Sequence, residues 1–186
     1  FEKIEQNSDV KFYVNYTYRL TPPYYELKLA LVENDTYFSC GRFYLGAPGN
    51  HKPWKHQKHT SGGAYNELGV HMRDLANFLL GPPSETFPKN EVLVHSSREF
   101  DGKRQNVDAP DLYTQAFKHE GTISLIMSDF LSPKFTNTVV LTNSELSLEL
   151  EIGKVLPETS DIFPISTHSD KFGSDSYQRL YSLLLN

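Results

Sequence analysis

The sequence has a single cysteine, Cys40, among 186 residues. It cannot form an intrachain disulfide, so the fold must be held by burial, as in proteins of reducing compartments. Long hydrophobic runs are absent too, and nothing approaches the roughly 20 apolar residues that span a membrane. Neither a Gly-x-Gly-x-x-Gly fingerprint nor a phosphate-cradling P-loop occurs, which removes the two sequence signals of a nucleotide-binding βα unit. Basic charge is scarce: 18 Lys and Arg stand against 23 Asp and Glu, a net −5. That balance argues against a nucleic-acid partner. No signal segment, internal repeat or low-complexity stretch is visible, and a cytoplasmic location with no membrane partner is the expectation.

What is present suits a globular fold, with 38% hydrophobic and 13% aromatic residues. One domain over residues 1–186 is the expectation from length. It reads as a piece cut at both ends, since the chain starts at Phe1 and finishes in an apolar helical pattern over Tyr177–Asn186 with no stop signal. Val10–Arg19 alternates and is rich in aromatic and β-branched residues, which predicts a strand. Tyr24–Glu33 predicts a helix after two prolines, and Thr36–Leu45 a second strand. Further on, strands are expected at Glu91–Phe100, Asp111–His119, Thr122–Phe130, Phe135–Thr142 and Glu145–Ile152, with Gly102–Pro110 as a polar gap. Short links make consecutive strands antiparallel. The fold class is α+β: an open, predominantly antiparallel sheet with helices on one face. A sheet face carrying Phe117, Ile123, Leu125 and Met127 would be an apolar patch, so a homo-oligomer through that face is expected.

Residues 61–81 are the most informative stretch. Gly62 and Gly63 feed a predicted helix that stops at Gly81-Pro82-Pro83. At about 100° per residue, Glu67, His71 and Asp74 share one stripe. Ala64, Leu68, Met72, Leu75 and Leu79 form the neighbouring stripe, with the spacing of a buried face. Three titratable groups beside a buried stripe suit proton handling, although a solvated helix face carries the same residue types. The glycine pair ahead of them either lets the backbone turn tightly or lets a ligand approach.

A second stretch, His51-Lys52-Pro53-Trp54-Lys55-His56-Gln57-Lys58-His59, gathers cations around the only tryptophan. On an acidic chain such a loop suits a small anion, or simply solvent. Zinc is not expected there, because no carboxylate or Cys partner motif completes the histidines. A metal-dependent hydrolase built on that loop is the reading which metal analysis would remove.

Residues Ser61 to Gly81 resemble the Gly-Gly-Gly-x-Leu-x-Asp-x-Gly-x-His-x-x-Asp-Leu pattern in the C-terminal domain of the glucose–fructose oxidoreductase, inositol dehydrogenase and MocA family. Tyr18-Arg19-Leu20 with Pro22 and Pro23 resembles the same family's Tyr-Arg-x-x-Pro entry into that domain. Ser61 stands in place of the first glycine, and Glu67 in place of the Asp, one methylene longer. The resemblance implies a substrate-binding and oligomerisation domain of an NAD- or NADP-dependent oxidoreductase, with the cofactor bound mainly by an N-terminal domain not contained in these residues. It implies oxidation or reduction of a secondary alcohol or ketone on a sugar, polyol or nucleotide sugar. Within it His71 is the candidate base, because imidazole titrates near neutrality. Glu67 is its orienting carboxylate, and Arg19, Trp54 and Asp74 are substrate contacts. The alternative is a non-catalytic binding or assembly module on the same scaffold.

Overall fold

The computed structural model describes residues 14, 16–33, 37–49, 52–60, 62–151 and 154–155. Its first element is a 3-10 turn over Thr17–Leu20, followed by helix α1, Pro22–Glu33. The expected strand over Val10–Arg19 is therefore corrected at its end: residues 17–19 coil, and residues 10–13 and 15 lie outside the described residues. Pro22 and Pro23 explain the coiling. They pre-set the first helical turn, and the chain entering it is tightened by Thr21 donating its N–H and its hydroxyl to the Tyr18 carbonyl.

Strand β1, Cys40–Pro48, leads through a 3-10 turn at Pro53–His56 to a five-residue π turn, Tyr65–Gly69, and helix α2, Val70–Leu80. Then come β2 (Glu85–Thr86), β3 (Asn90–Val92), β4 (Ser97–Phe100), β5 (Lys103–Asn106), β6 (Leu112–Lys118), β7 (Ile123–Asp129), β8 (Leu131–Thr142), β9 (Ser147–Glu151) and β10 (Lys154–Val155). The main sheet is ordered β10-β9-β8-β1-β7-β6-β2, with β3 also pairing β6. This is the expected open, mostly antiparallel α+β sheet.

Two details differ from the sequence expectation. Strands β7 and β8 are joined by Phe130 alone, yet β1 lies between them, parallel to β7 and antiparallel to β8. Sequence neighbours need not be sheet neighbours when a strand from far upstream inserts. The expected strand Glu91–Phe100 and the gap after it resolve into β3 and a separate β4–β5 hairpin. Residues 103–106 are polar on every side and exposed, so no alternation marked them as a strand.

Register decides which face is buried. Phe43 and Leu45 of β1, Tyr113 and Phe117 of β6, Ile126 of β7, and Val139 and Leu141 of β8 lie beneath the helices, all essentially inaccessible. The five-residue stripe of the central helix, Ala64, Leu68, Met72, Leu75 and Leu79, is buried against them. Phe117 pairs with Ser124, one position out of step with Ile123 and Leu125. With a side-chain period of 2 it must face the opposite way. The expected apolar patch is thus corrected: Phe117 belongs to the core, while Ile123 and Leu125 are 41% and 43% exposed on the open face. The helical pattern at residues 177–186 lies outside the described residues. Among those described, no helix is long and apolar enough to cross a membrane.

Candidate functional site

The site begins at the glycine pair. Gly62 and Gly63 have φ of 77° and 83°, a region L side chains adopt rarely. A Cβ on Gly63 would also sit 2.5 Å from the Pro110 carbonyl oxygen, which accepts the Ala64 N–H at 2.9 Å. The close approach that glycine permits at position 63 is to the protein's own backbone. Pinned there, the chain enters a π turn in which the Val70 N–H reaches back to the Tyr65 carbonyl. Gly69 lies against β7, where a Cβ would meet Ser128 Oγ at 3.0 Å. Ser128 in turn donates to the Ala64 carbonyl at 3.2 Å. π turns are rare, and they re-aim the side chains they carry.

This re-aiming governs the three candidates on the stripe. Glu67, inside the π turn, forms an ion pair with Lys55 at 2.5 Å. Asp74, on the regular part of α2 and 8% exposed, is gripped by Arg19 through Nε at 2.9 Å and through a terminal guanidinium nitrogen. His71 hydrogen-bonds neither carboxylate. Its Nδ1 is buried and meets no hydrogen-bond partner among the described residues. The ring instead packs against Tyr18 at 5.4 Å and edge-on to Tyr16 at 6.0 Å between centroids. Burial pushes the His71 imidazole below its usual value, the Asp74 and Glu67 carboxylates pull it back up, and the Lys55 ammonium lowers it again. The neutral ring is the resulting form near pH 7.

The remaining candidates fall around this row. Arg19 leaves the 3-10 turn, spans to Asp74, and lies about 6.0 Å from the Tyr16 ring and 5.8 Å from that of Phe78. It joins the entry segment to α2 by a forked, charge-assisted contact. Trp54 is 45% exposed, with the Lys55 ammonium 5.3 Å from its ring centroid. A polar cavity of about 210 Å³ opens beside Asp74, lined by Tyr16, Tyr65, Arg73 and Asn77. In it Arg73 donates to the Tyr65 hydroxyl at 3.1 Å.

Sequence reasoning missed Lys55, Tyr16 and Arg73. Arg73 neighbours Asp74 on the helix and was open to a wider stripe. Lys55 carried only its place in a basic loop, and no periodicity tells that such a loop folds back onto Glu67. Of the loop histidines, His51 lies outside the described residues, His56 is buried between Phe100 and Phe130, and His59 is exposed. No cluster of three metal-ligating side chains forms among the described residues. The glycine pair packs on Pro110 and opens a π turn rather than following a strand.

A family described as "Oxidoreductase family, C-terminal alpha/beta domain", of the GFO/IDH/MocA group, matches residues 36–127. Residues 36–127 are thus similar to the C-terminal domain of this oxidoreductase family. The match takes in β1, the basic loop, the glycine pair, α2 and most of β7. Among solved structures, an NAD-binding oxidoreductase from Klebsiella pneumoniae superposes with a TM-score of 0.66 at 20% identity, over 81% of this chain and 43% of that one. Levoglucosan dehydrogenase in complex with NADH and levoglucosan gives 0.63 at 21% identity, over 78% and 41%. An oxidoreductase from Agrobacterium radiobacter in complex with NAD+, L-tartaric acid and magnesium gives 0.61 at 18%, over 80% and 43%. These likenesses show the fold. The chain spans less than half the length of each of these structures. A comparison with curated proteins finds no match.

Proposed function

We propose that this chain is the substrate-binding part of an NAD- or NADP-dependent oxidoreductase acting on a secondary alcohol or ketone of a sugar, polyol or nucleotide sugar, with His71 handling the substrate proton. The observation that carries the reading is the half-buried His71 ring, neutral by burial, whose Nδ1 meets no hydrogen-bond partner among the described residues. Oxidising a carbinol requires a base within hydrogen-bond reach of its hydroxyl, and a neutral imidazole is competent to accept that proton. Once charged, His71 is stabilised by the Asp74 and Glu67 carboxylates that already favour its protonated form. Asp74 also lines the polar cavity, Arg19 holds it there as a positioning residue, and Trp54 offers an exposed ring for the apolar face of a sugar. The nicotinamide cofactor, bound mainly outside this chain, supplies the hydride acceptor when present. Ile123 and Leu125 on the open sheet face support a homo-oligomer, and a monomeric sedimentation mass at micromolar concentration counts against it. A cytoplasmic location completes the reading.

A binding or assembly module on the same scaffold is the second reading. One observation favours it: Glu67 is paired with Lys55 and not with His71. The test is nicotinamide turnover by the longer polypeptide that contains this chain, against sugars, polyols and nucleotide sugars, with His71→Ala alongside. Turnover lost in the variant supports the enzyme; a folded, cofactor-binding protein inert to the whole panel supports the module.

A further inference from the structure

A second cavity, of about 310 Å³, lies where the end of β1 meets the basic loop and the π turn. Its wall is mostly apolar, made by Ala47, Pro48, Leu68, Phe130 and Phe135, with the His56 ring beside them. Among the described residues, the charged groups on its lining are Lys52 and Lys55, and no carboxylate lines it. Lys55 pairs with the Glu67 carboxylate. Lys52 is exposed and makes no ion pair among the described residues. Among the described residues the Lys52 ammonium therefore stands without a paired carboxylate at the rim of this cavity, on a chain whose net charge is −5.

We infer that this cavity binds a small organic anion, and that the substrate of the site proposed above carries a carboxylate or phosphate group which Lys52 and Lys55 receive. A carbon skeleton covers the apolar wall while its anionic end meets the ammonium pair. Neutral sugars offer nothing to the second half of that match. Lys55 sits between the two features, bonded to Glu67 and lining the cavity, so an anion drawing on Lys55 competes with Glu67 for it. Occupancy then loosens the Glu67 carboxylate beside His71. The inference rests on the substrate-binding reading but is read out without it.

Trp54 is the only tryptophan, and its ring lies beside the Lys55 ammonium, so its fluorescence reports on the cavity. The experiment titrates the chain with D-glucuronate, D-glucose 6-phosphate and D-glucose at fixed ionic strength, with calorimetry in parallel. At least one anion is expected to bind saturably and at least about fivefold more tightly than glucose, the scale of one partly exposed charge pair. Which of the two does so tells a carboxylate from a phosphate. Lys52→Met should weaken that anion about fivefold and Lys52→Arg should restore it, and because Lys52 has no ion pair to lose, the variant's fold is not at issue. Equal binding of glucose and both anions, no saturable binding of either anion up to about 10 mM, or unchanged affinity in Lys52→Met each overturns the inference. No nicotinamide enters the assay. A chain that binds the anion yet shows no turnover in the longer polypeptide removes the oxidoreductase reading alone, and turnover of neutral sugars indifferent to Lys52→Met removes this inference alone.

Discussion

Two histidines in this chain are pushed in the same direction for the same reason, and only one of them is finished. His119, 1% exposed, has both ring nitrogens engaged, Nδ1 with the Gly81 carbonyl and Nε2 with Ser124 Oγ, each at 2.8 Å. It ties the end of α2 to β7. His71 sits one helix upstream of that tie, also depressed by burial, yet its Nδ1 has no partner among the described residues. A buried polar atom left unpaired costs about 1–3 kcal/mol. A structural histidine removes that cost, as His119 does, whereas a histidine kept ready for a proton retains it. Burial and a lowered titration point are common to both histidines; their hydrogen-bond partners are what differ.

The largest effect that can break the comparison is on turnover. If His71 is the proton acceptor, His71→Ala in the longer polypeptide lowers kcat by about 10²–10⁴, while His119→Phe leaves kcat within a few fold. Steady-state kinetics on both variants would falsify the assignment if the two fell together. Next is stability at the ion pair behind His71. Asp74 is nearly buried and Arg19 only partly so, so Asp74→Ala, which removes a charge-assisted pair and leaves a partly solvated guanidinium, should cost about 1–3 kcal/mol in urea unfolding. A loss under about 0.5 kcal/mol would show that Arg19 does not anchor α2.

His119→Phe comes third, because it leaves the Gly81 carbonyl and Ser124 hydroxyl unpaired. A loss of about 1–3 kcal/mol is expected. Its pH dependence has a definite sign. Both histidines titrate lower when folded than the 6.5 of a free side chain, so the unfolded chain takes up protons first as pH falls. The stability they contribute is complete above about pH 6.5 and is lost as pH drops through their folded values. His119→Phe should flatten that decline between about pH 6.5 and 5 relative to the wild type; an unchanged slope would mean His119 is not held neutral.

The buried stripe of the central helix was legible from the 3.6-residue period, and its glycine entry and Gly81 stop from local chemistry. So were the strands expected at Asp111–His119 and Thr122–Phe130, observed as Leu112–Lys118 and Ile123–Asp129, though not the face that Phe117 takes. The chain's second strand order was not legible, because β1 finds its place between β7 and β8 through long-range pairing that leaves no local mark. The site was half legible for a related reason. A regular helix was assumed through Glu67, and the π turn at Tyr65–Gly69 widens it there, which sends that carboxylate to Lys55. Residue types were right, while their pairing depended on where a loop from elsewhere came to rest.

The smallest effect is also the most discriminating, since it asks whether the Lys55–Glu67 pair sets the state of His71. Lys55→Met removes a cation that depresses His71 and frees a carboxylate that raises it, so both consequences move the His71 titration upward. Glu67→Gln removes the raising carboxylate and leaves Lys55 without its partner, so both move it downward. Two conservative changes at one ion pair therefore displace one histidine in opposite directions. His119 feels burial and the Gly81 carbonyl, and neither member of the pair, so it should stay where it is under both. Imidazole proton shifts followed by NMR across pH 4–8 resolve both rings in one sample. Displacement of His71 in the same direction by both variants would place the ion pair outside its electrostatic control and return Glu67 to the role of a surface contact.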